Sequence, residues 1–269
     1  MKKTFFTIFL AIFVIVLAQA SVVDTVLTYS PSMKKNIKAV VITPDSYATG
    51  KAFPVIYLLH GFSDSYKSWV AKSKNILQLS DQYNVIYVCP DGATSWYFDS
   101  PVNTKIKYET YVSGELVKWV DQHYKTIKSR RGRGITGLSM GGHGALYLAF
   151  RHQGVYGVAG SMSGGVDIRP FPNNWDLSHN LGEYKDYPQN WDKNTVINQV
   201  HFLKPNKLSI IIDCGTEDFF FNVNQDLHAK LLKMNIPHDY STRPGSHNWE
   251  FWTVSIQTHT QFMSWYFTK

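Results

Sequence analysis

The chain is poor in cysteine, with two, Cys89 and Cys214, among 269 residues. That excludes a disulfide-stapled scaffold and cysteine-based zinc modules, which need several closely spaced thiols. Each cysteine ends an apolar run, Val85-Ile86-Tyr87-Val88 and Ile210-Ile211-Ile212-Asp213. Two such runs would lie apart in a sheet, so two buried free thiols are expected, although an export compartment would permit a bridge. His-Glu-x-x-His, a phosphate loop and a dinucleotide fingerprint are all missing, so no metal and no cofactor are expected. Charge is sparse, at 17% of residues, and the lysines are scattered. Nucleic-acid motifs are absent. Mild basicity suits an acidic polysaccharide or a surface, but unclustered lysines read as a solvated exterior. No repeat or low-complexity linker divides the chain, and no run after the first twenty residues could span a membrane.

Those first twenty residues are a separate object. Lys2 and Lys3 precede the apolar run Phe5 to Leu17, which ends in Ala18-Gln19-Ala20. A basic start, a short apolar stretch and an A-x-A end predict a secretory signal peptide over 1–20, cleaved after Ala20. The run is short for a membrane anchor, and no cysteine follows it to carry a lipid. A secreted or periplasmic protein without stable membrane insertion is expected. Without Lys2 and Lys3 the chain keeps 25 Lys+Arg against 20 Asp+Glu.

Residues 21–269 read as one domain. Val22 to Tyr29 and Ile37 to Thr43 alternate polar and apolar residues, as antiparallel edge strands do. Pro54 to Leu59, Val85 to Cys89, Val155 to Ser161 and Leu208 to Cys214 are continuous apolar runs, suited to central parallel strands covered on both faces. Helical spacing recurs over Tyr111 to Tyr124, Asn224 to Met234 and about Trp249 to Tyr266. This alternation predicts a three-layer α/β sandwich with a mostly parallel central sheet. Residues 162–194 break the rhythm with Pro170, Pro172, Pro188 and the aromatics Phe171, Trp175, Tyr184, Tyr187 and Trp191. An insertion there is a candidate lid or substrate wall, compatible with a packed cap.

The most informative stretch is Gly137-Leu138-Ser139-Met140-Gly141, a G-x-S-x-G between a possible strand and a possible helix. It predicts a tight turn that exposes the Ser139 hydroxyl and puts the Met140 N–H at a helix N-terminus. A serine so placed is built to attack a carbonyl carbon, but needs a base, and the base needs a partner. In α/β-hydrolases the chain order is serine, acid, histidine. The candidate acids are Glu217 and Asp218, in the loop after the strand ending at Cys214. Asp218 is preferred because the shorter carboxylate is the commoner partner. Asp213 falls inside the strand and reads as structural. The candidate base is His247, in Gly245-Ser246-His247-Asn248-Trp249. His228 falls mid-helix, His238 precedes a strand and His259 lies in the last helix, so all three fit worse.

An oxyanion needs two convergent donors. Met140 N–H is one. The loop Leu58-Leu59-His60-Gly61-Phe62-Ser63-Asp64 offers Phe62 N–H as the other. His60 is expected to brace this loop, and His143 to be structural. Trp96, Tyr97, Phe219, Phe220, Trp249 and Trp252 are candidates for aromatic walls of an acyl pocket, with Trp96 the first choice and Phe219 and Trp249 next.

With these residues placed, the chain resembles the putative-esterase family. The resemblance is carried by Leu58-Leu59-His60-Gly61 with Trp69, Cys89-Pro90-Asp91-Gly92, Ser95-Trp96-Tyr97-Phe98-Asp99-Ser100-Pro101 and Tyr108-Glu109-Thr110-Tyr111. It continues through Gly137 to Ala145, Cys214-Gly215-Thr216-Glu217-Asp218-Phe219 and Gly245 to Trp249. The group includes esterase D-like S-formylglutathione hydrolases, tributyrin esterases, mycolyltransferases, and the acetylxylan and feruloyl esterases of carbohydrate esterase family 1. The resemblance implies an α/β-hydrolase fold, a Ser139–Asp218–His247 triad, and a Glu109 that braces the site from a helix. Cytosolic formylglutathione hydrolases lack an export signal, and nothing here points to mycolate-bearing cells. A secreted esterase removing acetyl or feruloyl groups from plant polysaccharide is therefore the expectation. Its partners would be acylated polysaccharide or a small ester, not nucleic acid. The competing readings are a broad short-chain esterase of tributyrin type and a catalytically silent carbohydrate-binding protein.

Overall fold

The computed structural model describes residues 21–269. The signal-peptide reading of 1–20 lies outside the described residues. Eight strands form one sheet: β1 (Val22–Ser30), β2 (Lys35–Thr43), β3 (Val55–Leu59), β4 (Ile86–Pro90), β5 (Arg133–Gly137), β6 (Val158–Met162), β7 (Ser209–Gly215) and β8 (Asp239–Arg243). They lie in the order β1-β2-β4-β3-β5-β6-β7-β8. β1 pairs antiparallel with β2, and β2 antiparallel with β4, while every later pairing is parallel.

Side chains alternate across the pleat, so β3 divides its residues between two cores. Val55, Tyr57 and Leu59 join Tyr111, Val120, Leu146 and Leu227 on one face. Ile56 and Leu58 join Trp69, Leu79, Trp252 and Ile256 on the other. Each such side chain, fully buried, contributes about 1.5–3 kcal/mol. The sheet is thus the middle of three layers, with Tyr108–Thr110, Leu116–His123, Met140–Arg151 and Phe221–Lys233 on one side and Ile76–Tyr83 and Trp249–Phe267 on the other.

The order of strands places the site. From β3 the chain crosses to β4 on one side, and from β5 to β6 on the other. β3 and β5 are neighbours whose ends are level, Leu59 opposite Gly137. The loops leaving them diverge and open a crevice at the carboxyl ends, the usual ligand position in such sheets.

Several boundaries differ from the sequence reading. β6 begins at Val158, not Val155, because Val155 and Tyr156 donate their N–H groups to His152 O in the turn closing the preceding helix. The helix expected over Tyr111 to Tyr124 starts earlier, at Tyr108, and contains a wide turn at Tyr111–Glu115. The helix expected from Asn224 starts at Phe221. The 162–194 insertion contains the helices Leu177–Leu181 and Pro188–Asn194, and its Leu177, Leu181 and Trp191 are buried in the first core. Cys89 and Cys214 are buried and unpaired. Three strands separate β4 from β7, which keeps the thiols apart. Among the described residues no helix is long and apolar enough to cross a membrane.

Candidate active site

Ser139 sits between β5 and the helix Met140–Arg151 at φ 56°, ψ −119°. Such a conformation costs a residue with a Cβ about 1–3 kcal/mol and persists only when its surroundings impose it. Here the Ser139 N–H donates to Met162 O at 2.9 Å, and Ser139 O accepts from His143 N–H at 3.0 Å. The turn is also packed too tightly for side chains at its flanks. A Cβ on Gly141 would lie 2.5 Å from Leu59 O, and one on Gly137 2.6 Å from the Gly141 carbonyl carbon.

Two other loops meet this turn, and backbone hydrogen bonds tie them together. Thr216 N–H donates to Arg243 O and Glu217 N–H to Gly245 O, each at 3.0 Å. The loop carrying the carboxylates is thereby fixed to the loop carrying His247. His247 Nε2 lies 2.8 Å from Ser139 Oγ. Its Nδ1 lies 2.8 Å from Asp218 Oδ2 and 3.0 Å from Oδ1. Asp218 Oδ1 also accepts the Phe220 N–H at 2.8 Å, which orients the carboxylate. Glu217 turns elsewhere, accepting from Ser246 Oγ at 3.2 Å. Asp218 is fully buried at its side chain, and the His247 side chain is 15% exposed.

The loop after β3 runs beside the serine turn. His60 Nδ1 bonds Gly61 O, while Nε2 accepts the Gly92 N–H, both at 2.8 Å. A proton on Nδ1 satisfies both contacts and leaves His60 as a brace for this loop. Phe62, from the loop, lines the cleft together with Ser139. Among the described residues neither Phe62 N–H nor Met140 N–H is taken by another group. An alcohol, an imidazole and a carboxylate in series, beside two unengaged N–H donors, can transfer a proton from the alcohol and receive a developing oxyanion.

The remaining candidates lie away from the serine. Asp213 is buried among Arg243, Ser255 and His259. His228 and His238 face each other at 2.7 Å. His143 is buried, its Nε2 bonding Asn194 O at 3.0 Å. Burial lowers its pKa to about 4 against that bond, so it is neutral at pH 7. Glu109 accepts from Tyr147 Oη, Arg151 Nε and His152 Nε2. It therefore braces the far half of the Met140–Arg151 helix and touches none of the three groups at the turn.

The cleft over Ser139 measures about 350 Å³, and Phe62, Leu138, Trp175, Phe219, His247 and Trp252 contribute to its walls. Phe219 lies 4.2 Å from the His247 ring and is stacked at 5.6 Å on Trp175. Trp252 meets His247 edge-on at 4.9 Å. Four of the six expected wall residues, Trp96, Tyr97, Phe220 and Trp249, do not line the cleft, and Phe220 is buried in the core. Trp96 is 1% exposed. It lies behind Trp175, to whose carbonyl its Nε1–H donates at 3.0 Å. Its ring packs against His143, because the apolar surface it needs is in the core. Trp249 turns to Trp69, 5.0 Å away, and is absent from the cleft walls. Tyr97 is likewise buried, its hydroxyl on the His60 backbone. Trp175 was legible only as one aromatic of the insertion. No periodicity marked it as a wall.

The chain is similar to proteins of known activity. A family model described as Putative esterase matches residues 30–263. An acetyl esterase of Caldicellulosiruptor saccharolyticus is 26% identical over 262 residues, which cover 88% of this chain and 96% of the relative. An S-formylglutathione hydrolase of Bos taurus is 25% identical over 256 residues, covering 86% and 89% respectively. A solved ferulic acid esterase superposes with a TM-score of 0.80 at 24% identity, over 92% of this chain and 99% of that one. Its fold is the three-layer sandwich described above. The chain belongs to the putative esterase family and is a carboxylic ester hydrolase.

Proposed function

We propose that the protein is a secreted serine esterase that removes acetyl or feruloyl groups from plant polysaccharides through an acyl-enzyme on Ser139. One observation carries the serine chemistry: His247 Nε2 at 2.8 Å from Ser139 Oγ, with Asp218 behind the imidazole. In the proposed course His247 takes the Ser139 proton as Oγ attacks the ester carbonyl. The tetrahedral oxygen is received by the N–H groups of Phe62 and Met140. Collapse expels the sugar hydroxyl, protonated by His247. A water, deprotonated by His247, then hydrolyses the acyl-serine and releases the acid.

The stacked Trp175 and Phe219 rings make a flat apolar wall suited to a planar hydroxycinnamoyl group, and the small cleft volume suits an acetyl. The acetyl and ferulic acid esterases it resembles support the same choice. The basic-apolar start of the chain supports export. Incubating residues 21–269 with arabinoxylan and assaying acetate and ferulate decides between them. Release of one or both supports the reading. Hydrolysis of tributyrin with no release from the polymer favours a broad short-chain esterase instead.

A further inference from the structure

A larger hollow than the catalytic cleft lies near the other end of the Met140–Arg151 helix. It measures about 1040 Å³ and shares no lining residue with the cleft at Ser139. Glu109, Arg151, His152 and Phe202 line it and also line an adjoining hollow of about 610 Å³, so the two form one groove.

The groove is equipped with polar and aromatic groups. Phe202 is 40% exposed, high for a phenyl ring. It lies beside His201 at 4.2 Å and under the Arg151 guanidinium at 5.8 Å. Gln199, 1% exposed, stands in the wall with its Nε2 donating to Lys193 O and its Oε1 unpartnered. The amides of Asn194 and Asn198 are close by, their NH2 groups donating to Asn190 O and to Asp192 and the Asn198 Oδ1 left open among the described residues. A flat apolar ring among amides and a guanidinium matches a pyranose, which has an apolar face and a rim of hydroxyls.

The smaller hollow is mostly positive, with Arg130, Arg151, Lys204 and Lys207 against Glu109. Glu109 is paired with Arg151 and His152 and Asp192 with Arg169, while Asp99, which lines only the larger hollow, accepts from Thr110. Of the cations, Arg130 caps the Gln153 and Lys207 carbonyls. Lys193, Lys204 and Lys207 make no ion pair among the described residues. Residues scattered along the sequence are thus gathered in space, with charge left for an anion.

We propose that this groove is a second, non-catalytic site for an oligosaccharide carrying a uronic acid. A sugar ring lies over Phe202, and the carboxylate faces Lys204 and Lys207. The site stands independently of the ester chemistry at Ser139.

The test is calorimetric titration with a xylo-oligosaccharide bearing one glucuronic acid, and with the same molecule after reduction of its carboxyl group to the alcohol. Protein whose Ser139 has been blocked by a fluorophosphonate is compared with unblocked protein. The expected result is saturable binding, unchanged by the block and at least tenfold weaker for the reduced probe. Phe202→Ala, and separately Lys204→Gln with Lys207→Gln, each weaken it about tenfold without moving the melting temperature. No saturable binding, equal affinity for both probes, loss of binding on blocking, or indifference to both variants would overturn the proposal.

Discussion

The imidazole of His247 faces Asp218 across 2.8 Å, while the adjacent Glu217 points to Ser246. The two carboxylates are neighbours in sequence and opposite in orientation. Asp218→Asn keeps the shape but removes the charge that orients and stabilises the imidazolium. It is expected to lower kcat by about 10³–10⁴-fold, whereas Glu217→Gln changes kcat by less than about threefold. Steady-state kinetics on a chromogenic acetate ester read both.

The cleft wall gives a selectivity prediction. Trp175→Ala removes the ring stacked on Phe219. It is expected to raise KM for methyl ferulate about tenfold, with under threefold effect on an acetyl ester of the same alcohol. An equal loss on both esters would mean that Trp175 supports the site without contacting the acyl group.

The serine turn gives a packing prediction. Gly141→Ala would press a Cβ against the Leu59 and His60 carbonyls, which are backbone and cannot step aside. Destabilisation of about 1–3 kcal/mol is expected, seen as a melting temperature lower by several degrees, with a parallel loss of activity. Gly154→Ala, where a Cβ meets nothing within 4 Å, is the control.

Acid stability follows from Glu109. Burial alone would raise its pKa, but hydrogen bonds from His152, Arg151 and Tyr147 and the Arg151 charge outweigh it, lowering the pKa from 4.5 to about 2. The stability it contributes is present above the unfolded value and is lost as pH falls from about 4.5 to about 2. That loss is on the order of 3 kcal/mol. Glu109→Gln is expected to be less stable at pH 7 and to show a flatter acid limb in denaturant titrations. A wild-type acid limb that the substitution leaves unaltered would contradict this.

Much of the architecture was legible because central strands announce themselves as unbroken apolar runs, and the core faces of helices by spacing. Of the helix face Leu116, Val117, Val120 and Tyr124, the first three are buried and Tyr124 is half-buried against the same core. The meeting of Ser139, Asp218 and His247 was legible because each follows a strand, and strand ends of a parallel sheet share one side. What escaped was whatever depends on side-chain direction within loops. Trp96 and Trp175 are both loop tryptophans at positive φ, yet one is buried and the other borders the cleft. Composition cannot separate them. Asp218 is preferred over Glu217 as the shorter carboxylate, and it is Asp218 that meets His247 while Glu217 meets Ser246. The basic groove was invisible for a related reason: Arg130, Arg151 and Lys204 converge only after folding.

The most direct test of the central claim is intact-mass and peptide mapping of residues 21–269 after reaction with a fluorophosphonate, in parallel with Ser139→Ala. The account predicts one adduct on the wild type, located at Ser139, with none on the variant and ester hydrolysis lost in both the labelled and the substituted protein. A variant that still hydrolyses the ester, or an adduct mapped to another residue, would contradict it.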